Sequence, residues 1–228
     1  MYTLTVLVPA FNEEKTISES LNRLTKHNLF EKILVLNDGS TDQTLEIVEK
    51  LAKDDKRLEL INFKSNNGKG SVLQKSKPYI FSDYVVIHDA DLEYNPDDLL
   101  DLYEKINGNN IIIGSRFIGE KIRTGGYIRT LIANKIMSLF FSIVNQKKCT
   151  DIATCYKMMP SSFFKTCDFK ENGFSIEVEM VAKFLKFSRD LVEVPISYSG
   201  RSYEEGKKIK FYDGFLYLIN TLRYRFFN

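Results

Sequence analysis

Residues 84–98 of the chain read YVVIHDADLEYNPDD, in which an apolar run is followed by closely spaced carboxylates. The β-branched run Tyr84–Ile87 predicts a buried strand, and the Asn-Pro pair further on is typical of a helix start. The acidic side chains of Asp89, Asp91 and Glu93 are therefore expected on a turn between a strand and a helix. In a doubly wound sheet such turns lie at the carboxyl edge, where ligands bind.

Three like charges on one turn repel one another unless they are solvated, protonated or bridged by a cation. Sets of carboxylate oxygens suit hard ions such as Mg²⁺ and Mn²⁺. Carboxylates in water at the start of a helix would look the same in sequence, because the helix dipole favours them there. The turn on its own leaves both interpretations open.

The first half of the chain alternates apolar runs of strand length with segments of helical period. Asn12 is expected to cap a helix from Glu13 to about Lys26, and Ser40 or Thr41 to cap the next. The alternation predicts an α/β fold with a mostly parallel, doubly wound central sheet flanked by helices. The predicted strands are Leu4–Val8, Ile33–Leu36, Leu58–Phe63, Tyr84–Ile87 and Ile111–Ile113.

After Gly114 the pattern changes to a basic loop and amphipathic helices. Tyr127–Asn145 predicts a helix with a narrow polar side and a wide apolar stripe, and a final helix is expected after Asp213. Each stripe could belong to the core or lie on a membrane surface, and both alternatives remain open. Between these helices the sequence predicts a strand, a helix and a last strand at Asp151–Met159, Ser175–Phe187 and Leu191–Tyr198.

The length of 228 residues fits one domain, residues 1–228, and no internal repeat or linker divides it. A formal net charge of +2 gives no reason to expect nucleic-acid binding. The charge is uneven, however, because residues 116–150 hold seven Lys or Arg and a single acid, Glu120. An anionic partner should therefore meet the second half of the chain.

The three cysteines form no C-x-x-C pair and are accompanied by only two histidines, which argues against a zinc site. Reduced thiols in a cytoplasm are the default expectation. The N-terminus leads directly into a predicted strand, so no signal peptide is expected. The most apolar run, Ile136–Val144, is too short to span a bilayer.

Polar side chains also follow other predicted strands, and parallel topology would bring them to the same edge as the acidic turn. Asp38 is placed to hold a ribose or base, and a cation at Asp91 would neutralise a diphosphate. Lys69 stands between two glycines, but the spacing and the Ser or Thr of a P-loop are missing. No G-x-G-x-x-G follows the first strand, so a dinucleotide dehydrogenase is not expected. Lys69 on its own is more often a solvated loop residue than a phosphate ligand.

Seven segments of the chain carry a family resemblance, namely residues 8–13 (VPAFNE), 36–42 (LNDGSTD), 67–70 (NGKG), 89–93 (DADLE), 114–117 (GSRF), 150–157 and 194–207. In this order they resemble the family 2 glycosyltransferases of the GT-A fold. Within that family they are most similar to the polyprenyl- and dolichyl-phosphate hexosyltransferases, a group that includes dolichol-phosphate mannose synthase. The resemblance extends over nearly the whole chain.

The resemblance implies a GT-A domain with a nucleotide-binding half, residues 1–115, and an acceptor and membrane-interface half, residues 116–228. It implies a GDP- or UDP-hexose as donor and Mg²⁺ or Mn²⁺ as cofactor, held by Asp89, Asp91 and Glu93. The positions implied for donor binding are Pro9, Phe11, Glu13, Asp38, Lys69, Asp89, Ala90, Asp91, Arg116, Arg201 and Lys207.

Asp91, Arg201 and Lys207 are the candidate catalytic residues, because they match positions that meet the metal and the phosphates. The Asp151 motif and Glu177 match positions that lie near the acceptor or shape the pocket. Cys155 stands where some relatives carry a small or acidic residue, so no catalytic base is implied there.

The expected reaction is inverting transfer of a hexose to a polyprenyl or dolichyl phosphate. The expected place is the cytoplasmic face of a membrane, to which the basic second half would bind peripherally, and a membrane-protein partner is compatible with the same helices. Two alternatives stay open: a soluble family 2 transferase that acts on a saccharide or protein hydroxyl, and an inactive scaffold that binds a nucleotide sugar.

Overall fold

The computed structural model describes residues 1–125, 127–201 and 211–227 of the chain. Within these residues a seven-stranded sheet runs in the order β3-β2-β1-β4-β7-β5-β8, and β6 pairs with β9 in a separate two-stranded parallel ribbon. The strands are β1 Leu4–Ala10, β2 Lys32–Asn37, β3 Leu58–Asn62, β4 Tyr84–Ile87, β5 Ile111–Ser115, β6 Arg123–Gly125, β7 Lys157–Pro160, β8 Leu191–Pro195 and β9 Tyr198–Gly200.

The helices cover both faces of the large sheet. They are α1 Ile17–Thr25, α2 Thr44–Asp54, α3 Lys69–Lys75, α4 Asp98–Tyr103, α5 Ile128–Asn145, α6 Ser161–Thr166, α7 Ile176–Phe187 and α8 Phe211–Phe226. One hydrophobic core lies under α1, α2 and α4, and the other under α3, α5, α6, α7 and α8. Successive strand residues point to opposite faces, so along β1 Val6 enters the first core and Leu7 the second.

The predicted mostly parallel α/β sheet is confirmed. Only β7 runs antiparallel to its neighbours β4 and β5 in the large sheet, and every other pairing of that sheet is parallel. The buried strands consist almost entirely of apolar residues, as expected for strands covered on both faces. The carboxyl ends of β1, β2 and β4 meet at one edge, which places the turns that follow them side by side.

Two predicted helix caps are wrong. Asn12 does not cap α1, which begins at Ile17, because its side-chain oxygen accepts the N–H of Thr41 at 2.8 Å. Neither Ser40 nor Thr41 caps α2, since Ser40 bonds to the loop after β1 through the N–H of Asn12 at 3.0 Å. These polar side chains link the loop after β1 to the loop after β2. The link holds both loops in place at the carboxyl edge of the sheet.

Helix α5 turns its polar side inward and its apolar stripe outward. Ser138 and Asn145 are buried, and the Ser138 hydroxyl accepts the N–H of Ile152 at 3.0 Å. The exposed apolar residues of α5 are Ile128, Ile132, Ile136, Leu139 and Ile143. The neighbouring helix α8 exposes Phe215, Ile219, Leu222 and Phe226. Within the described part of the chain, no helix has both the length and the apolar character needed to cross a bilayer.

Candidate active site

The acidic turn, residues 89–93, follows β4 at the carboxyl edge of the sheet, between the turns after β1 and the start of α3. Asp91 is buried, while Asp89 and Glu93 are half-buried. The backbone N–H of Glu93 donates to Oδ1 of Asp91 at 3.0 Å, which holds the two acidic residues in one tight turn. The sequence prediction of a carboxylate-bearing turn at this edge is confirmed.

The three carboxylates expected to share a metal are divided between two cations. Asp89 Oδ1 lies 2.6 Å from Nζ of Lys69. Asp91 and Glu93 instead face the guanidinium of Arg201. Within the described ranges, no group of three or more His, Cys, Asp or Glu side chains is arranged to hold a metal ion. Metal binding by this trio remains a prediction from the resemblance.

Arg201 reaches the acidic turn from the end of β9. Its Nη2 lies 2.5 Å from Oδ2 of Asp91, and its Nε lies 3.4 Å from Oε1 of Glu93. Its Nη1 lies 3.6 Å from Oε2 of Glu13, on the turn after β1. The backbone N–H of Arg201 also donates to Oε1 of Glu93 at 2.9 Å. The guanidinium therefore joins carboxylates from two separate turns.

The charge on Asp91 is costly where it stands. Burial, followed by the charges of Asp89 and Glu93, raises the pKa of Asp91 to about 7, although Arg201 acts to lower it. A carboxylate in such surroundings gains from any cation that approaches it. Oxygen ligands of this kind suit Mg²⁺ or Mn²⁺, and a cationic group already lies against them, so the donor set fits a hard divalent ion.

Lys69 belongs to a buried chain of charges that leads away from the acidic turn. Its Nζ lies 2.7 Å from Oε1 of Glu177, whose Oε2 lies 2.6 Å from Nζ of Lys157. Burial lowers the pKa of Lys69, but attraction to Asp89 and Glu177 outweighs it and leaves the pKa well above its ordinary value. The same pairing holds the pKa of Asp89 below its ordinary value despite burial. Lys69 is therefore a fixed cation and not a solvated loop residue.

Asp38 holds the loop in front of α3. Its Oδ1 accepts the N–H of Asn67 at 2.8 Å and its Oδ2 accepts the N–H of Gly68 at 2.7 Å. Gly68 has a positive φ of 94°, and a Cβ there would lie 2.5 Å from the carbonyl oxygen of Asn172. Each carboxylate oxygen keeps a further lone-pair direction, so contact with a ribose or base remains a prediction for Asp38.

The other predicted donor contacts on the first two turns lie at the same edge. Pro9 and Phe11 are half-buried, and Ala90 is buried within the acidic turn. Glu13 is buried, and its Oε2 accepts the hydroxyl of Thr16 at 2.8 Å. Their roles in holding a nucleotide remain predictions.

Arg116 does not reach the acidic turn. Its Nε and Nη2 each lie 2.7 Å from an oxygen of Asp151, and the pair is buried. The guanidinium stacks over the ring of Tyr198, 4.8 Å from its centre, and the Tyr198 hydroxyl donates to Oε2 of Glu93 at 2.7 Å. Arg116 thus supports the site from behind in this structure, and phosphate binding by it remains a prediction.

Two neutral side chains flank the acidic turn. His88 is buried, with its ring nitrogens 3.1 Å from the Ser20 hydroxyl and 3.0 Å from the Tyr156 hydroxyl. Burial lowers the pKa of His88 to about 4. Burial, reinforced by the charge of Asp89, raises the pKa of the Cys155 thiol well above its ordinary value. Neither group is a ready general base near neutral pH.

Sequence reasoning missed some members of the site. Lys157 gives one signal, a lysine at the head of a buried strand, KMMP, since a fully buried lysine requires a partner. Tyr198 gives none, because its link to Glu93 depends on how β9 lies against the acidic turn. The predicted phosphate ligand Lys207 lies outside the described residues.

Comparison with known proteins assigns the chain to a family. The model for glycosyl transferase family 2 matches residues 5–167. Glycosyltransferase AglJ of Haloferax volcanii is 27% identical over 199 residues, which cover 86% of this chain and 63% of that protein. Dolichol-phosphate mannosyltransferase of Pyrococcus furiosus is 27% identical over 90% of this chain and 58% of its own length. The chain thus spans less than two thirds of both relatives.

Undecaprenyl-phosphate mannosyltransferase of Micrococcus luteus is 26% identical over 91% of this chain and 87% of its own length. Among solved structures, glucosyl-3-phosphoglycerate synthase of Mycobacterium tuberculosis in complex with UDP gives a TM-score of 0.73 at 18% identity. The alignment covers 98% of this chain and 80% of that one, and it shows a common fold. Since the family match extends over more than two thirds of the sequence, the chain belongs to the family 2 glycosyltransferases.

Proposed function

We propose that the chain is a metal-dependent inverting glycosyltransferase that moves a hexose from GDP-mannose or UDP-glucose to a polyprenyl or dolichyl phosphate. The observation that carries this proposal is the acidic turn at the carboxyl edge, with Arg201 and Lys69 held against its carboxylates. The Pyrococcus and Micrococcus relatives are a dolichol-phosphate and an undecaprenyl-phosphate mannosyltransferase. A mycobacterial structure of the same fold was solved with Mn²⁺ and UDP-glucose.

The acidic turn would receive the donor diphosphate. A divalent ion held by Asp91 and Glu93 would neutralise negative charge on the leaving diphosphate. Arg201, already beside both carboxylates, is within reach of the same phosphates. Lys69 keeps Asp89 ionised, which preserves the negative charge that the ion requires. The predicted contribution of Lys207 adds a second cation from outside the described residues.

A phosphate acceptor fits the chemistry of the groups beside the turn. A hydroxyl acceptor needs a general base to remove its proton. The two neutral groups beside the turn, His88 and Cys155, are buried, and both ring nitrogens of His88 already contact hydroxyl groups of the protein. A lipid phosphate is ionised near neutral pH and attacks through an oxygen that already carries charge. This difference favours the lipid-phosphate acceptor over a saccharide or protein hydroxyl.

The outward stripe of α5 supports membrane binding. Ile128, Leu139 and Ile143 are 76%, 63% and 67% exposed, whereas a helix that only closed a core would turn such residues inward. A groove of about 570 Å³ along α5 is lined by Lys135, Lys147 and Lys148 as well as by apolar side chains. No Asp or Glu lies between Glu120 and Asp151. A basic apolar face of this kind is complementary to an anionic lipid surface.

The same face sets the proposed location. Binding by the exposed faces of α5 and α8 would place the chain peripherally on a membrane. The free thiols of Cys149, Cys155 and Cys167 fit a reducing compartment and hence the cytoplasmic side. A membrane-protein partner could share the exposed apolar face with lipid.

The test is transfer itself. Purified protein is incubated with GDP-mannose or UDP-glucose, Mn²⁺ and polyprenyl phosphate in detergent. The lipid product is identified by mass spectrometry and its anomeric configuration by NMR. A hexosyl lipid phosphate of inverted anomeric configuration is the expected product. Transfer only to soluble saccharides or peptides would support the soluble transferase. Metal-dependent thermal stabilisation by UDP or GDP, without transfer to any acceptor, would support the scaffold.

A further inference from the structure

Arg201 occupies the position that a cation would take on the acidic turn. Its guanidinium contacts Asp91 at 2.5 Å, Glu93 at 3.4 Å and Glu13 at 3.6 Å. The side chain of Arg201 is only 17% exposed, and the carboxylates around it are no more open. A charge-assisted contact of this length in a shielded site is strong. An ion bound to Oδ2 of Asp91 would lie next to the guanidinium, and repulsion between the two cations favours displacement of the guanidinium.

We propose that Arg201 is the resident cation of the acidic turn when no nucleotide is bound, and that it competes with the divalent ion for Asp91. This inference rests on the proposed function, because it concerns the metal of that reaction. The diphosphate of a nucleotide offers the displaced guanidinium a new anionic partner. Metal and nucleotide therefore bind together more tightly than either binds alone, and each raises the affinity of the other by the same factor.

The displacement requires little movement. The backbone N–H of Arg201 is bonded to Oε1 of Glu93 at 2.9 Å, and the preceding strand β9 is paired with β6. Both contacts hold the backbone at Arg201 in place, so only the guanidinium has to move away from Asp91. The contact with Glu13, at 3.6 Å, is loose enough to break without disturbing the turn after β1.

Substitution of Arg201 shows whether its side chain competes with Mn²⁺ for Asp91 or assists the binding of Mn²⁺. Arg201→Gln removes the charge and frees Asp91 and Glu93 for an ion, so affinity for Mn²⁺ without nucleotide should rise about tenfold or more, the usual weight of one hydrogen bond to a charged group. Arg201→Lys keeps the charge but lacks the planar fork that contacts two carboxylates, and it should give an intermediate affinity. The gain in Mn²⁺ affinity on adding UDP or GDP should shrink in the same order.

The measurement is a titration of Mn²⁺ followed by electron paramagnetic resonance, in which the free ion gives the signal, at constant pH and ionic strength. Lys32→Gln is the matched control, because it also removes one positive charge from an ion pair. Lys32 pairs with Glu59 at 2.5 Å and stands at the first residue of β2, at the edge of the sheet opposite to the acidic turn. The control should bind Mn²⁺ like the wild type. Circular dichroism establishes that each variant is folded, and if Arg201→Gln does not fold, Arg201→Lys decides by the same criterion.

A higher Mn²⁺ affinity in the Arg201 variants, with weaker coupling to the nucleotide, supports the proposal. Equal or lower affinity, or no Mn²⁺ binding by any variant, overturns it. The titration uses neither sugar donor nor acceptor, so its result is separate from that of the transfer assay. A transferase in which Arg201 assists metal binding would pass the transfer assay and fail this one.

Discussion

The ammonium group of Lys69 lies 2.7 Å from Oε1 of Glu177, although the first residue begins α3 and the second lies in the first turn of α7. Glu177 also contacts Lys157 at 2.6 Å, and the three side chains are shielded from water. Removing one partner from a buried ion pair leaves an uncompensated charge. Glu177→Gln is therefore expected to lower the free energy of unfolding by roughly 3–5 kcal/mol, measured by urea denaturation.

The control for this variant is Glu19→Gln, because Glu19 contacts Arg23 at 2.8 Å on the exposed side of α1. Exposed pairs of this kind contribute little, so the urea midpoint should not move. A Glu177→Gln protein as stable as the wild type would mean that water or a rearranged lysine compensates the lost charge.

The sequence predicts the individual strands of the sheet better than the order in which they lie. Strand β4 was predicted with its observed bounds, Tyr84–Ile87, because a short β-branched run between turn residues has few other interpretations. No local sequence pattern predicts that β7 lies between β4 and β5, since this position depends on which strand edges are still unpaired when residues 157–160 join the sheet. The six-residue helix Ser161–Thr166 was missed because it is too short to show a helical period.

In the candidate site, too, local features could be predicted from sequence and long-range contacts could not. The acidic turn was found from sequence because its residues are neighbours along the chain. The partners that neutralise it come from distant segments: Arg201 lies 110 positions from Asp91. Such contacts follow from strand order and from the path of the chain after β8, which sequence patterns do not encode. The resemblance named Arg201 and Lys69, but their pairing with Asp91 and Asp89 could be seen only in the structure.

Asp91→Asn is expected to remove transferase activity while leaving the fold intact. The carboxylate is the closest partner of Arg201 and the candidate ligand of the ion that stabilises the leaving diphosphate. Loss of one such electrostatic contact lowers the rate by roughly a hundredfold or more. Initial rates with saturating donor, alongside a thermal melt, make the measurement, and EDTA should abolish wild-type activity.

The matched control for Asp91→Asn is Asp97→Asn, which removes a carboxylate from an exposed position just after the turn. Asp97 is exposed, and its Oδ1 lies 3.0 Å from Nε2 of His27. Its variant should keep the wild-type rate. Full activity in Asp91→Asn would show that the acidic turn is not the metal site.

His88 should make the fold sensitive to acid. Burial lowers the pKa of His88 to about 4, from an ordinary value of 6.5. Between these values the unfolded chain binds a proton that the folded chain does not, so stability falls as pH falls, by up to about 1.4 kcal/mol per pH unit. Asp91, whose pKa is raised to about 7, contributes a slope of the opposite sign. Comparing His88→Gln with the wild type isolates the histidine.

Unfolding free energies of the two proteins, measured from pH 4 to 7, should converge towards acid pH. Tyr156→Phe is the control, because it removes the hydroxyl 3.0 Å from Nδ1 of His88 while keeping the histidine and the packing of the ring. That variant should retain the wild-type pH dependence with a constant loss of stability. Parallel curves for His88→Gln and the wild type would contradict the assignment of His88 as a buried neutral group.

Membrane binding should depend on the outward stripe of α5. The wild type is expected to sediment with vesicles that contain phosphatidylserine and to be released by salt, since Lys135, Lys147 and Lys148 supply the attraction to anionic lipid. The double variant Ile132→Glu, Leu139→Glu replaces two exposed apolar side chains with carboxylates on the same face. Burial of such side chains is worth about 1.5–3 kcal/mol each, so vesicle binding should weaken by roughly a hundredfold or more.

The prediction concerns the apolar stripe of α5 and not exposed apolar side chains in general. Phe81→Glu is therefore the matched control, because Phe81 is 81% exposed just before β4, at the amino edge of the sheet and away from α5. The control should sediment like the wild type. Equal sedimentation of the double variant and the wild type would remove α5 as the membrane contact. Loss of sedimentation with unchanged transfer to a detergent-solubilised acceptor would separate docking on the bilayer from the chemistry at the acidic turn.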